Sequence, residues 1–158
     1  MSKQVKDSIN EIISVGISAG GARAKAIIAY NEQTGEIKSG QITAGIGFSY
    51  WILKLGGVDQ KEETSHTRIE YVYYRMLLAS GIDMSESRLL KKEHYNHFMT
   101  KRFGRIESED EKIQKVHVQT LGALMHRDYN EPGTLSYEQA AFAMTQIGLK
   151  QREVEQFL

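Results

Sequence analysis

The chain has 158 residues, 41% of them hydrophobic and 25% charged, a mixture that suits a globular domain with its own core and no disulfide or metal staple. Twenty Lys and Arg balance twenty Asp and Glu, so no overall field favours nucleic acid or an anionic membrane, and the absence of Cys excludes disulfides and thiolate metal sites. The start, Met1 to Asp7, lacks the apolar run of a secretory signal, and no stretch approaches the ~20 apolar residues that cross a bilayer, so a cytoplasmic protein is expected.

Taken in chain order, the first part is rich in glycine and in short β-prone runs. Ile12 to Val15 reads as a strand entering a glycine-rich turn, Gly16 to Gly21, and Ala26 to Tyr30 reads as the next strand. Thr34-Gly35 supplies a hairpin turn to Glu36–Ser39. Gln41 to Ser49 reads as loop, and Tyr50 to Leu55 as a further strand that ends at Gly56-Gly57. A helix is predicted from Arg68 to Ala79, with Thr67 as its N-cap and Glu70 completing a capping box. Gly81 closes it in the left-handed conformation. Within that helix Ile69, Val72, Tyr73 and Met76 fall at helical spacing and are assigned to the sheet-facing side. Tyr71 and Tyr74 are assigned to core or rim packing rather than to stacking on a base.

Ser87–Leu90 and His97–Lys101 are read as two strands around a charged turn, and Ile106–Lys115 as a solvated loop. Beyond it the pattern becomes helical: Val118–His126, then Ser136 to Ile147 broken by Gly148, then Gln151 to the end. The chain is thus read as α+β, with residues 1–105 forming a mostly antiparallel sheet with one packed helix and residues 106–158 a helical segment.

Two features carry chemistry. In Ser18-Ala19-Gly20-Gly21-Ala22-Arg23-Ala24-Lys25, glycines let consecutive N–H groups approach an anion and Arg23 and Lys25 add positive charge. The spacing is neither a dinucleotide fingerprint nor a Walker loop, so an unliganded glycine-rich hairpin is the equal alternative. Lys54 lies on a strand beside Ile52, with Glu70 on the helix that follows. A strand lysine oriented by a helix carboxylate is how kinases hold the α/β phosphates; a surface lysine and a capping glutamate are the alternative. His126-Arg127-Asp128 spells a kinase catalytic-loop signature, but the residue five after Asp128 is Gly133 rather than Asn, and no Asp-Phe-Gly follows, so it is read as a coincidence at a helix end. The five histidines show no zinc spacing, and no metal ligands are assigned.

Read together, the segments resemble the HipA toxin kinase family. The resemblance is carried in order by Gly16 to Lys25, Trp51 to Val58, Arg68 to Tyr74, Gly81 to Leu90, His97 to Phe103, His117 to Leu124, Tyr129 to Gly133 and Ser136 to Gln139. It implies a kinase-like amino-terminal lobe followed by the first helices of the next lobe. It implies ATP and Mg2+ as cofactors and Ser18, Ala19, Gly20, Gly21, Ala22, Arg23 and Lys25 as the phosphate loop, with Ser18 at the regulatory phosphorylation position. Lys54 is the implied nucleotide lysine and Glu70 its partner; Thr100, Lys101 and Phe103 are the implied hinge that meets adenine through backbone and ring. The implied reaction is phosphorylation of serine on a protein, an aminoacyl-tRNA synthetase by substrate class, with a HipB-like helix-turn-helix antitoxin as partner.

Two departures accompany the resemblance. Phe103-Gly104-Arg105 stands where the family has Phe-Asp-Arg, and the family's catalytic Asp/Asn segment and metal-binding Asp are expected beyond Leu158. The isolated chain is therefore expected to be catalytically inactive and to self-associate through the surface facing the missing lobe. A non-catalytic module that binds an antitoxin or a separate kinase half is the second reading.

Overall fold

In the computed structural model the described residues are 25–56, 65–92, 95–107, 113–128 and 130–158. They fall into two compact units, Met1–Val116 and His117–Leu158.

The first unit is built on a five-stranded sheet in the order β2-β1-β3-β5-β4, formed by β1 (Lys25–Asn31), β2 (Ile37–Ser39), β3 (Phe48–Lys54), β4 (Ser87–Lys92) and β5 (Tyr95–Lys101). All four pairings are antiparallel. The β1–β2 hairpin forms where Thr34-Gly35 predicted it: Gly35 takes φ +70°, and the Asn31 side chain accepts from the N–H groups of Gln33 and Thr34.

Because side chains alternate, the sheet has two distinct faces. One carries Ala26, Ile28, Trp51, Leu53 and Met99, which with Ile37 form the main buried cluster. Trp51 is fully buried, and its indole donates to Ser49 Oγ at 2.8 Å. Arg88 lies over this cluster, its guanidinium 4.5 Å from the Trp51 ring centroid and 5.4 Å from that of Tyr30, and it pairs with Glu32 at 2.6 Å. Arg88→Ala removes packing as well as charge, so a loss of about 1–2 kcal/mol is expected in urea unfolding, together with a red shift of the emission of Trp51, the chain's single tryptophan.

The opposite face carries Lys25, Ile27, Ala29, Phe48, Tyr50, Ile52, Lys54, Phe98 and Thr100. Its Phe48–Tyr50 end is covered. The Tyr50 hydroxyl accepts from Ala44 N at 3.0 Å and donates to Ile42 O at 3.3 Å, which pins the loop before β3 over Ala29 and Phe48. Ile113 packs there too, from the two-stranded hairpin of β6 (Arg105–Glu107) and β7 (Ile113–Lys115). That hairpin replaces the solvated loop expected over 106–115. Its strands have three residues each, too short for any period to show among the charges.

Helix α1 (Ser65–Ala79) packs against β4 and β5. Its end follows the expectation: Gly81 has φ +82°, and the paired bonds Gly81 N to Leu78 O and Ile82 N to Leu77 O close a Schellman motif. Its start and its rotation do not. Thr67 lies inside the helix, 4% exposed, donating its hydroxyl to Asn96 O at 2.7 Å, and Glu70 bonds Lys54 instead of a cap. Thr67, Glu70, Tyr71, Tyr74 and Leu77 therefore form the less exposed side, whereas Ile69, Val72, Tyr73 and Met76 are exposed. The helix carries two apolar stripes, and the polar anchors Thr67 and Glu70 decide which one turns to the sheet. Tyr71 and Tyr74 sit half-buried with ring centroids 6.0 Å apart, in the packing role assigned to them.

In the second unit, α2 (Leu121–Leu124) is a single turn, shorter than the helix expected over 118–126. It ends because His126 adopts φ 53°, with His126 N bonding Ala123 O and Arg127 N bonding Gly122 O. The kinase-like tripeptide is thus a left-handed helix cap, and Asp128 is spent accepting from Asn130 N at 2.9 Å. A glycine suits φ > 0 better than a β-carbon does, so His126→Gly is expected to stabilise this unit by about 0.5–1 kcal/mol, read from its thermal midpoint. Helices α3 (Tyr137–Gln146) and α4 (Gln151–Phe157) form where predicted, with a Ser136–Gln139 capping box and a Schellman turn at Gly148. No helix among the described residues is long and apolar enough to cross a membrane.

Candidate functional site

Directly opposite residues of an antiparallel pair share a face, and in the β1–β3 register Lys25 stands opposite Lys54. Two like charges placed so are unfavourable unless an anion sits between or beside them. One anion is supplied by the fold: Glu70 Oε2 meets Lys54 Nζ at 2.5 Å, with both side chains about one-third exposed. The ammonium also lies 5.7 Å from the centroid of the buried Phe98 ring. Lys54 is therefore held on two sides, by a carboxylate from α1 and an aromatic ring from β5, and its side chain remains about one-third exposed to solvent.

Helix α1 is fixed for this purpose at its first turn. Thr67 bonds Asn96 O, and Gly56, two residues after Lys54, donates its N–H to His97 Nδ1 at 3.1 Å. With the Asn96 amide oriented to present its oxygen, it accepts from Arg68 Nε at 3.1 Å and Arg68 Nη2 at 3.0 Å. These contacts join the end of β3, the start of β5 and the first turn of α1, which are the segments that set the Lys54–Glu70 distance. Sequence reading missed Thr67, Asn96 and His97 as the parts that place the site. Their contacts join residues as far apart as Gly56 and His97, and no local pattern marks them.

Along the same face, Ile27 and Ile52 stand opposite each other and are half-buried. They form an apolar strip between the lysine pair and the end covered by the Tyr50 loop. Cations beside an apolar strip suit a ligand with an anionic end and a flat apolar body.

The expected hinge residues follow one another at the end of β5 with side chains on different faces. Thr100 lies on the Lys54 face, its Oγ1 accepting from Ser87 Oγ at 2.9 Å. Lys101 lies opposite Trp51 on the other face, and its N–H is taken by Glu86 O at 2.8 Å. Arg102 N is taken by Tyr50 O at 2.8 Å. Phe103 is 71% exposed and, with Lys101, Arg102 and Arg105, lines a cavity of about 320 Å³. Burial, and then the neighbouring charge of Arg105, pull the Arg102 guanidinium below its ordinary pKa. The structure therefore sets Lys25 opposite Lys54 in register and Lys54 against Glu70, and leaves the Lys101 side chain on the far face. Ser18, Ala19, Gly20, Gly21, Ala22 and Arg23 lie outside the described residues.

Among the described residues no three His, Cys, Asp or Glu side chains gather as a metal site. No curated protein and no solved structure matches the chain significantly. One family model does match, that of the HipA-like C-terminal domain, over residues 17–158. That span covers most of the chain and includes Lys25, Lys54 and Glu70, and on it the protein belongs to the HipA-like C-terminal domain family.

Proposed function

We propose that the Lys54 face binds ATP and that the chain is the nucleotide-holding part of a HipA-like serine/threonine kinase. The observation that carries this reading is the Lys54–Glu70 ion pair, with Lys25 opposite in register. A strand lysine clamped by a helix carboxylate presents one ammonium at a fixed point, which is what phosphate positioning requires. Lys25 adds a second positive charge, and the sequence Ser18–Arg23 leads into β1 at that residue with the glycines an anion nest uses. The Ile27–Ile52 strip offers the apolar surface for a base, with Thr100, Lys101 and Phe103 at the end of β5 as the hinge contacts through backbone and ring.

The reading assigns Lys25, Lys54 and Glu70 to the phosphates and none of the described residues to Mg2+, which accompanies ATP in solution. In the intact kinase the acceptor is a serine hydroxyl of a protein substrate, an aminoacyl-tRNA synthetase by class. A HipB-like antitoxin is the regulatory partner and Ser18 the phosphorylation position.

The test is a calorimetric titration of Mg-ATP into the purified chain. Saturable one-site binding is expected. A chain that shows a buried-tryptophan emission and yet gives no saturable heat sinks the reading.

A further inference from the structure

Helix α1 is apolar on two sides. Its inner side packs on β4 and β5, and on its outer side Ile69, Val72, Tyr73 and Met76 are 47%, 54%, 60% and 57% exposed. Their spacing, i, i+3, i+4 and i+7, sets them in one stripe two turns long. Scattered exposed apolar residues need no explanation, but four in one helical row form a contiguous patch of the kind that marks an interaction site.

Among the described residues of the helix, the charges bordering the stripe are of one sign. Arg68 and Arg75 border it along one edge, both exposed, and Glu70, the helix's only carboxylate, is turned inward to Lys54. Arg75 has a neutral partner, the Tyr71 hydroxyl at 3.5 Å, and Arg68 has the neutral Asn96 amide, so both positive charges stay uncompensated by these contacts.

From this arrangement we propose that the outer face of α1 is a docking surface for an amphipathic helix of a partner protein with an acidic edge. The partner's apolar row would lie along Ile69–Met76 and its carboxylates would meet Arg68 and Arg75. Helix-on-helix docking reads anchors at this spacing. A second copy of α1 would bring arginines against arginines. A membrane surface would be engaged by a longer and more basic face than two turns with two arginines.

The test uses two labelled helix-forming peptides with leucines at i, i+3, i+4 and i+7, one edged with glutamates and its twin with lysines. Their fluorescence anisotropy is followed on titration with the full chain. The glutamate peptide is expected to bind at least about tenfold tighter than the lysine twin. Val72→Ser with Tyr73→Ser, both solvent-facing, should weaken it by about tenfold. Arg75→Glu, alone and with Arg68→Glu, should shift the preference towards the lysine twin. The buried Trp51 emission reports that each variant is folded.

Equal binding of both peptides, or an affinity indifferent to the serine and glutamate changes, overturns the proposal. So does concentration-dependent sedimentation of the chain alone that the serine pair abolishes, which would assign the stripe to a second copy. Retention on phosphatidylserine vesicles that the serine pair abolishes would assign it to a membrane and overturn the proposal equally.

Discussion

Gly56→Ala is expected to destabilise the first unit by about 3 kcal/mol, a large part of the ~5–15 kcal/mol that holds a domain together. A β-carbon at Gly56 would stand 2.3 Å from Asn96 O and 3.3 Å from Asn96 C, both backbone atoms that cannot rotate away. Relief requires the start of β5 to move off the end of β3. That movement pulls on two bonds at once, Gly56 N to His97 Nδ1 and Thr67 Oγ1 to Asn96 O. The second of these fixes the first turn of α1, so the damage reaches Glu70 and with it Lys54.

Urea unfolding followed by Trp51 emission measures the loss. Gly81→Ala is the control, because a β-carbon there meets nothing within 4 Å and the cost comes only from φ +82°. That strain is worth about 1 kcal/mol. A Gly56→Ala chain whose midpoint falls no further than that of Gly81→Ala would show that the close approach at Asn96 is not a constraint on the fold.

The contrast between these two glycines also shows where sequence reading succeeds. Gly35, Gly81 and Gly148 follow local rules, each sitting after a turn or helix that the flanking residues already announce, and all three adopt positive φ. Gly56 was legible as the end of a strand but not as a point of contact with a residue 40 positions later. The rotation of α1 failed for a related reason. Its sequence supports Ile69/Val72/Tyr73/Met76 and Tyr71/Tyr74/Leu77 about equally as buried stripes, and the choice is made by Thr67 and Glu70, whose partners belong to β5 and β3.

The candidate site was legible in part. Lys54 and Glu70 were paired from the order strand lysine, then helix carboxylate, and they meet. Lys25 was assigned to a phosphate loop from its charge beside the glycine-rich run and from the family resemblance, whereas its placement opposite Lys54 follows from the β1–β3 register, which the hairpin pattern alone did not specify. Thr100 and Lys101 are neighbours in sequence, and strand alternation sends their side chains to opposite faces, so only the Thr100 side chain shares the face of Lys54.

Lys54→Met is expected to weaken Mg-ATP binding by about 100-fold or more, which corresponds to roughly 3 kcal/mol. The methionine keeps an unbranched apolar stem of similar length and loses the ammonium, which lies 5.7 Å from the Phe98 ring centroid. Stability in the absence of ligand should change by no more than about 1 kcal/mol. The pair is one-third exposed, so its Coulomb gain is screened, and its removal also relieves the charge of Lys25 opposite.

Glu70→Gln should cost less, about tenfold in affinity, because the lysine remains and only its orientation is released. The two changes are expected to be non-additive. If Glu70 acts by holding Lys54, then Lys54→Met with Glu70→Gln binds no more weakly than Lys54→Met alone. Additive losses would mean that Glu70 meets the ligand independently. Unchanged affinity in folded Lys54→Met would remove the ion pair from nucleotide binding altogether, and the charge of Lys25 and the glycine-rich sequence before it would then have to account for any ATP bound.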